Sequence, residues 1–137
     1  MTAVDNRQTQ MMRETVPFAG VLGMEVVRSG PEEVRARVEW RPEQCTAGGV
    51  LHGGVIMSLA DTTGAMCAVQ NLPDDASGTT TIESKTNFLR AVRDGYVEAV
   101  SRPLHAGRTV VVIETDVTDA TGRPVAKVLQ TQAVLRG

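Results

Sequence analysis

The sequence predicts one α+β domain over residues 1–137, in which an antiparallel sheet of five or six strands curls around one long hydrophobic helix. The segment from Val55 to Val69 is apolar or small on nearly every side, which is typical of a buried helix. The segments around it alternate polar and apolar residues with a period of two, which is typical of strands. Because a helix that is apolar all round cannot lie on an open surface, we expect the sheet to wrap around it.

Alternation and turn residues mark the strands. The clearest is Val34 to Trp40, where Arg37 falls on the polar face, so this strand is expected to have one face in solvent. An earlier strand begins near Met24 and ends at a Ser-Gly-Pro turn at 29–31. Further strands are predicted at 79–89, 95–104, 108–118 and 124–135, with turns at 93–95, 105–107 and 119–122.

The N-terminal segment, residues 1–20, is expected to be helical or loosely ordered. It is polar with scattered methionines, and Thr9 to Val16 fits a short helix that ends at Pro17. No cationic start is followed by an apolar run, so the sequence signals neither export nor membrane insertion. The cytoplasm is therefore the expected location, and no membrane is expected as a partner.

Composition and charge exclude several classes of function. The chain is 42% hydrophobic and 22% charged, which excludes a disordered tail and a disulfide scaffold. A net charge of −2 without a basic run disfavours nucleic acid as a partner. Cys45 and Cys67 have no metal or redox spacing and are predicted to be buried thiols. No metal and no cofactor is expected; consistent with this, the sequence contains no H-E-x-x-H zinc motif and no P-loop, and it also lacks the G-x-S-x-G motif of a serine nucleophile.

A single acidic residue stands out in the predicted helix. Among the thirty residues 44–73, only Asp61 is formally charged. A carboxylate in an otherwise buried helix must be paired, neutralised or exposed to a cleft, because an unpaired buried charge is strongly unfavourable. Asp61 therefore either forms a structural ion pair with an arginine of a neighbouring strand or faces a pocket as a site carboxylate.

The residues that enter this helix favour the second interpretation. His52 is followed by Gly53 and Gly54, and glycines there let a ligand approach the backbone closely. The first N–H groups of a helix form a positive, donor-rich end suited to a carbonyl oxygen that acquires negative charge. Gly53 and Asp61 are eight residues apart, roughly 12 Å along a helix. If both serve one reaction centre, each must come from a different subunit.

Two segments, Gly49-Val50-Leu51-His52-Gly53-Gly54-Val55 and Leu59-Ala60-Asp61-Thr62, resemble the motif of hotdog-fold acyl-CoA thioesterases. The resemblance extends over nearly the whole chain, including residues 87–90 and 107–109. It is greatest to the phenylacetyl-CoA (PaaI-like) branch, together with the 4-hydroxybenzoyl-CoA thioesterases that have glutamate at the aspartate position. It implies a hotdog fold and self-association as a homodimer or homotetramer.

The resemblance also implies roles for individual residues. The backbone N–H of Gly53 would polarise the thioester carbonyl, and Asp61 of the partner subunit would act as general base or attack directly. Thr81 would help to place the water. Thr46 stands where several relatives have asparagine or glutamine, so the sequence departs from the family there. His52 would orient the loop rather than act as acid or base.

Substrate contacts follow from the same resemblance. An acyl group is expected among methionines of the helix, and the pantetheine and phosphates of CoA near arginines and small residues of two later loops. The positions concerned are Gly54, Met57, Met66, Arg90, Gly107, Arg108 and Thr109. The alternative function is a non-catalytic acyl-CoA or fatty-acid binding protein, which would have no use for Asp61. A hydratase of the same fold needs aspartate and histidine together at the start of the helix. Here His52 precedes Asp61 by nine residues, so the sequence matches a hydratase poorly.

Overall fold

The computed structural model describes residues 2–137, which form a six-stranded antiparallel sheet curled around one long helix. The predicted fold class is therefore confirmed. The strands lie in the order β1-β2-β4-β5-β6-β3, so β1 and β3 are the two edges. Their bounds are β1 Glu25–Ser29, β2 Val34–Glu39, β3 Gly78–Phe88, β4 Tyr96–Ala106, β5 Val110–Asp119 and β6 Pro124–Leu135.

The predicted central helix spans Gly53–Val69 and, in chain order, is α3. It follows β2 after two short 3₁₀ turns and packs against the concave face of the sheet through side chains that include Ile56, Leu59 and Cys67. The prediction that α3 is buried all round is wrong for this chain. Met57, Asp61 and Val69 are exposed, because the sheet covers only one side of the helix. Their spacing of four and eight residues puts them in one stripe along α3.

The N-terminal segment is helical and more extensive than the sequence predicts. Helix α1 spans Asn6–Thr15 and ends just before Pro17, as predicted; it begins three residues earlier than expected, and Pro17 then occupies the first position of α2, Pro17–Leu22. Two side chains of α1 attach it to β1 and to the residue directly before that strand. The Thr9 hydroxyl accepts a hydrogen bond from the Val26 N–H at 2.8 Å, and Arg13 Nε donates to the Met24 carbonyl at 2.9 Å.

The prediction that Arg37 faces solvent is wrong. Only 2% of this residue is exposed, because the N-terminal chain lies across the outer face of β2. The guanidinium donates a hydrogen bond to the Thr2 carbonyl, lies 3.9 Å from a Glu98 carboxylate oxygen and stacks over the Tyr96 ring, with 5.1 Å to its centroid. The planar, always charged arginine head suits this combination of partners.

Two boundaries of the later strands also differ from prediction. Strand β4 continues to Ala106, so the turn before β5 is Gly107–Thr109 and begins two residues later than predicted.

Of the two cysteines, Cys67 is buried as expected and Cys45 is half-buried. Burial, with a smaller contribution from Glu32, raises the pKa of the Cys67 thiol to about 11. No helix within residues 2–137 combines the length and the apolar character needed to cross a membrane.

Candidate active site

The start of α3 presents a backbone donor. His52 is the N-cap, and its Nδ1 accepts a hydrogen bond from the Gly54 N–H at 2.7 Å. This contact is the one that an orienting role for His52 requires. The Gly53 N–H has no hydrogen-bond acceptor within residues 2–137. The Phe88 ring lies against Gly53, since a Cβ there would be 3.1 Å from Phe88 Cζ.

Asp61 lies in the exposed stripe of α3, two turns after Gly53. Its carboxylate forms no ion pair with any cation of residues 2–137. The structural ion pair that the sequence left open is therefore not found in the described chain. Asp61 Oδ1 instead accepts hydrogen bonds from Gln130 Nε2 at 3.0 Å and from the Thr81 hydroxyl at 3.5 Å.

The structure thus brings Thr81 and Asp61 together, and it adds two residues that the sequence analysis missed. Gln130 and Gln132 are fully buried on β6, and Gln132 Nε2 donates to the Thr81 hydroxyl at 2.6 Å. The sequence did contain a signal for them. After Val128, the two glutamines occupy the next two inward positions of a strand where apolar residues are expected. A polar residue in such a position needs a partner.

A cleft of about 430 Å³ opens beside Asp61, between α1 and α3. Met11 and Met12 line one wall, and Ala65 and Met66 line the other. Within the described chain, Asp61 is the only charged residue that lines it. Of the two methionines predicted to contact an acyl group, Met66 lines this cleft. Met57 does not; it lies one turn before Asp61 in the exposed stripe.

The remaining predicted site residues lie on loops away from this cleft. Thr46 is exposed in the loop before α3, where its backbone N–H donates to the Val50 carbonyl at 2.8 Å. Arg90 is exposed just after β3. Gly107–Thr109 form the turn between β4 and β5. In the part of the chain that the structure describes, neither the Arg90 nor the Arg108 guanidinium takes part in an ion pair.

The edge strand β3 is the most exposed strand of the sheet. Within residues 2–137 its only sheet neighbour is β6, and Ile82 and Phe88 are 62% and 50% exposed. Leu89, directly after the strand, is also exposed. A long edge strand with exposed apolar side chains is a surface on which another strand pairs readily.

A curled six-stranded sheet around one helix, with a donor-rich helix start and an unpaired carboxylate two turns later, defines a protein of the hotdog-fold class. Comparison with known proteins agrees with this. The model of the thioesterase superfamily matches residues 48–126, more than half of the chain. The chain belongs to the thioesterase superfamily, and with it to the hydrolases.

Individual relatives support the same assignment. A Mycobacterium tuberculosis protein provisionally named as an esterase, Rv1847, is 33% identical over 115 residues, which are 82% of this chain and 82% of the relative. Among solved structures, a mutant of thioesterase PA1618 from Pseudomonas aeruginosa is 27% identical with a TM-score of 0.86, over 96% of this chain and 94% of its own. Thioesterase HI1161 from Haemophilus influenzae is 25% identical with a TM-score of 0.86, over 99% and 93%.

Proposed function

We propose that this protein hydrolyses an acyl-CoA thioester in composite sites of a two-fold homodimer, with Asp61 from one subunit and the Gly53 N–H of the partner subunit. The observation that supports this best is that Asp61 is unpaired by any cation of residues 2–137 and lines an otherwise uncharged cleft. Within one subunit, Asp61 is roughly 12 Å along α3 from the free N–H of Gly53. The Asp61 carboxylate and the Gly53 N–H of one subunit therefore cannot both contact the same thioester carbonyl.

The reaction needs only these two groups and water. The Gly53 N–H donates to the thioester carbonyl oxygen and stabilises the negative charge that develops there. Asp61 takes a proton from water as the water oxygen bonds to the carbonyl carbon, and Thr81 helps to place that water through its hydrogen bond to Asp61. The C–S bond then breaks, the CoA thiolate takes the proton held by Asp61 and leaves as the thiol, and the free carboxylic acid remains. In the alternative route, the Asp61 carboxylate attacks the carbonyl carbon and the C–S bond breaks to release the CoA thiolate; water then hydrolyses the resulting anhydride, which restores Asp61 and supplies the proton of the CoA thiol.

The exposed edge of β3 supports the proposed dimer. Antiparallel pairing of two β3 edges across a two-fold axis would satisfy their free backbone groups and cover Ile82 of both subunits. The same contact would bring a second subunit towards the exposed stripe of α3. We propose this edge as the dimer interface, and a dimer of dimers as a further assembly.

The cleft between α1 and α3 supports an apolar acyl group as the part of the substrate next to Asp61. Its lining is mostly methionine and aliphatic, and methionine adapts to ligands of different shape. The CoA portion would extend out of the site, where the unpaired guanidinium groups of Arg90 and Arg108 suit its phosphates. An aryl or medium-chain acyl group is our prediction for this part of the substrate.

The direct test is release of free CoA thiol from a panel of acyl-CoA esters that includes acetyl, hexanoyl, decanoyl, phenylacetyl and 4-hydroxybenzoyl groups. We expect turnover that is faster for the larger acyl groups, because the cleft buries them. Calorimetric binding of the same esters is measured in parallel. Binding of CoA esters without thiol release from any of them would favour the binding protein over the hydrolase.

The width of the cleft is expected to set acyl preference. Ala65→Leu fills the cleft one turn after Asp61, so we expect kcat/KM for decanoyl-CoA to fall about tenfold or more, with little change for acetyl-CoA. Met11→Ala widens the cleft from the α1 side and should shift preference towards larger groups. Equal loss for every chain length in Ala65→Leu would show that the acyl group lies elsewhere.

A further inference from the structure

The side-chain amide of Gln130 forms a hydrogen bond with the carboxylate of Asp61. Gln130 is fully buried, and its Nε2 donates to Asp61 Oδ1 at 3.0 Å, with the Asp61 carbonyl and the Thr81 hydroxyl each at 3.4 Å. These are the only acceptors of that amide nitrogen within residues 2–137. Both hydrogens of the amide are therefore directed at Asp61 and Thr81.

Helix α3 has a notch that makes room for this contact. A Cβ at Gly64 would lie 2.0 Å from Gln130 Oε1, a separation that the buried amide could not accommodate. Glycine is a poor residue for the interior of a helix. Its presence at position 64 is explained by the amide of Gln130, which packs against the helix backbone one turn after Asp61.

A purely structural role explains Gln130 poorly. Its Oε1 is buried and has no hydrogen-bond partner within residues 2–137, which is unfavourable for folding. An apolar side chain of similar size would avoid this loss and would still fill the space. What the glutamine adds is an amide N–H directed at Asp61.

Gln132 extends the arrangement to Thr81. Its Nε2 donates to the Thr81 hydroxyl at 2.6 Å, and its Oε1 lies 3.2 Å from the Thr79 hydroxyl, whose single hydrogen has a nearer acceptor in the Ala133 carbonyl at 2.7 Å. An amide nitrogen can only donate, so the Thr81 oxygen must accept. The one hydrogen of Thr81 is then free to point at Asp61 Oδ1.

We propose that Gln130 is a positioning residue for Asp61, with Gly64 as the space that it requires. The inference rests on the proposed function and deepens it. With Oδ1 held by Gln130 and Thr81, the carboxylate keeps one rotamer and its Oδ2 is left for the water and the thioester. Gln132 fixes the direction of the Thr81 hydroxyl in the same network.

The test compares Gln130→Met with wild type, because methionine has similar length but no N–H. We expect kcat for the best substrate to fall about tenfold to a hundredfold with KM nearly unchanged, since a loosely held group is misplaced in the transition state. Gln10→Met, at an exposed position of α1, is the matched control and should leave both constants unchanged. Thermal unfolding should establish that both variants are folded.

Gly64→Ala approaches the same contact from the helix. It should lower kcat as Gln130→Met does, because the new Cβ displaces the amide. In a Gln130→Ala background the clash is gone, so adding Gly64→Ala should change kcat no further. A further large loss in that background would contradict the proposed link between the two residues.

A structural measurement separates failure of this proposal from failure of the proposed hydrolysis. Crystal structures should find one Asp61 rotamer in wild type and several in Gln130→Met, whether or not the protein turns over acyl-CoA. A single unchanged rotamer together with wild-type kcat would overturn the positioning role and leave hydrolysis standing. Ordered Asp61 in an inactive wild-type protein would instead overturn the hydrolysis.

Discussion

Asp61→Asn is expected to lower kcat for acyl-CoA hydrolysis about a hundredfold to ten-thousandfold, which is the usual contribution of a general base. Asparagine has nearly the same shape but cannot take a proton from water, and it is no nucleophile for the anhydride route either. The measurement is thiol release by wild type and variant under saturating substrate. Substrate binding, followed by calorimetry, should persist.

The same substitution should leave the fold intact. Asp61 is exposed in the chain and forms no ion pair within residues 2–137, so removing its charge leaves no cation unpaired. The asparagine oxygen can still accept from Gln130. Asp74→Asn, at an exposed loop carboxylate, is the matched control and should match wild type. Loss of folding in Asp61→Asn would identify Asp61 as structural, and full activity would exclude it from the reaction.

Gly53→Pro is expected to lower kcat about a hundredfold to a thousandfold, because proline has no N–H to donate to the carbonyl oxygen. The substitution suits this position. Proline is favoured at the first residue of a helix, and His52 already has the extended conformation, φ −61° and ψ 133°, that a residue before proline adopts. Gly53→Ala is the matched control, since it adds the same Cβ beside Phe88 and keeps the N–H.

Mixing the two inactive variants tests whether each site is shared between subunits. A heterodimer of Asp61→Asn and Gly53→Pro subunits has one site with both defects and one site with neither. Random reassociation after joint refolding should therefore restore about a quarter of wild-type activity. Activity that stays at the level of the separate variants, in a mixture shown to contain heterodimers, would require both groups to act within one subunit.

The regular elements were largely predictable because local pattern dictates them. The alternation of β2 has the period of a strand, and the mostly apolar run of α3 has the length of a helix; the observed bounds of both differ from the predicted ones by one or two residues. Asp61, Gly53 and His52 were also identifiable as candidate site residues, since one charge in an apolar segment and two glycines at a helix start are local signals. The alternation of β6 also places Gln130 and Gln132 on its inward face, but it does not show that Asp61 and Thr81 are their partners.

The predictions that differ from the structure involve contacts between segments that are distant along the chain. Arg37 reads as a solvent residue by alternation, yet Thr2 and Glu98 cover it. Helix α1 reads as weakly determined, yet Thr9 and Arg13 attach it to the neighbouring strand and it forms one wall of the cleft. The spacing of residues along the chain predicts neither the burial of Arg37 nor the packing of α1 against the cleft.

The sequence by itself determined the strands, the central helix and the position of an isolated carboxylate in it, because each depends on residues a few positions apart. Only the tertiary structure decided what surrounds that carboxylate. Gln130 is sixty-nine residues from Asp61 along the chain, and the register of β6 beside β3 brings its amide there. Such pairings depend on sheet register and on how closely a helix can approach the sheet, and here Gly64 sets that approach.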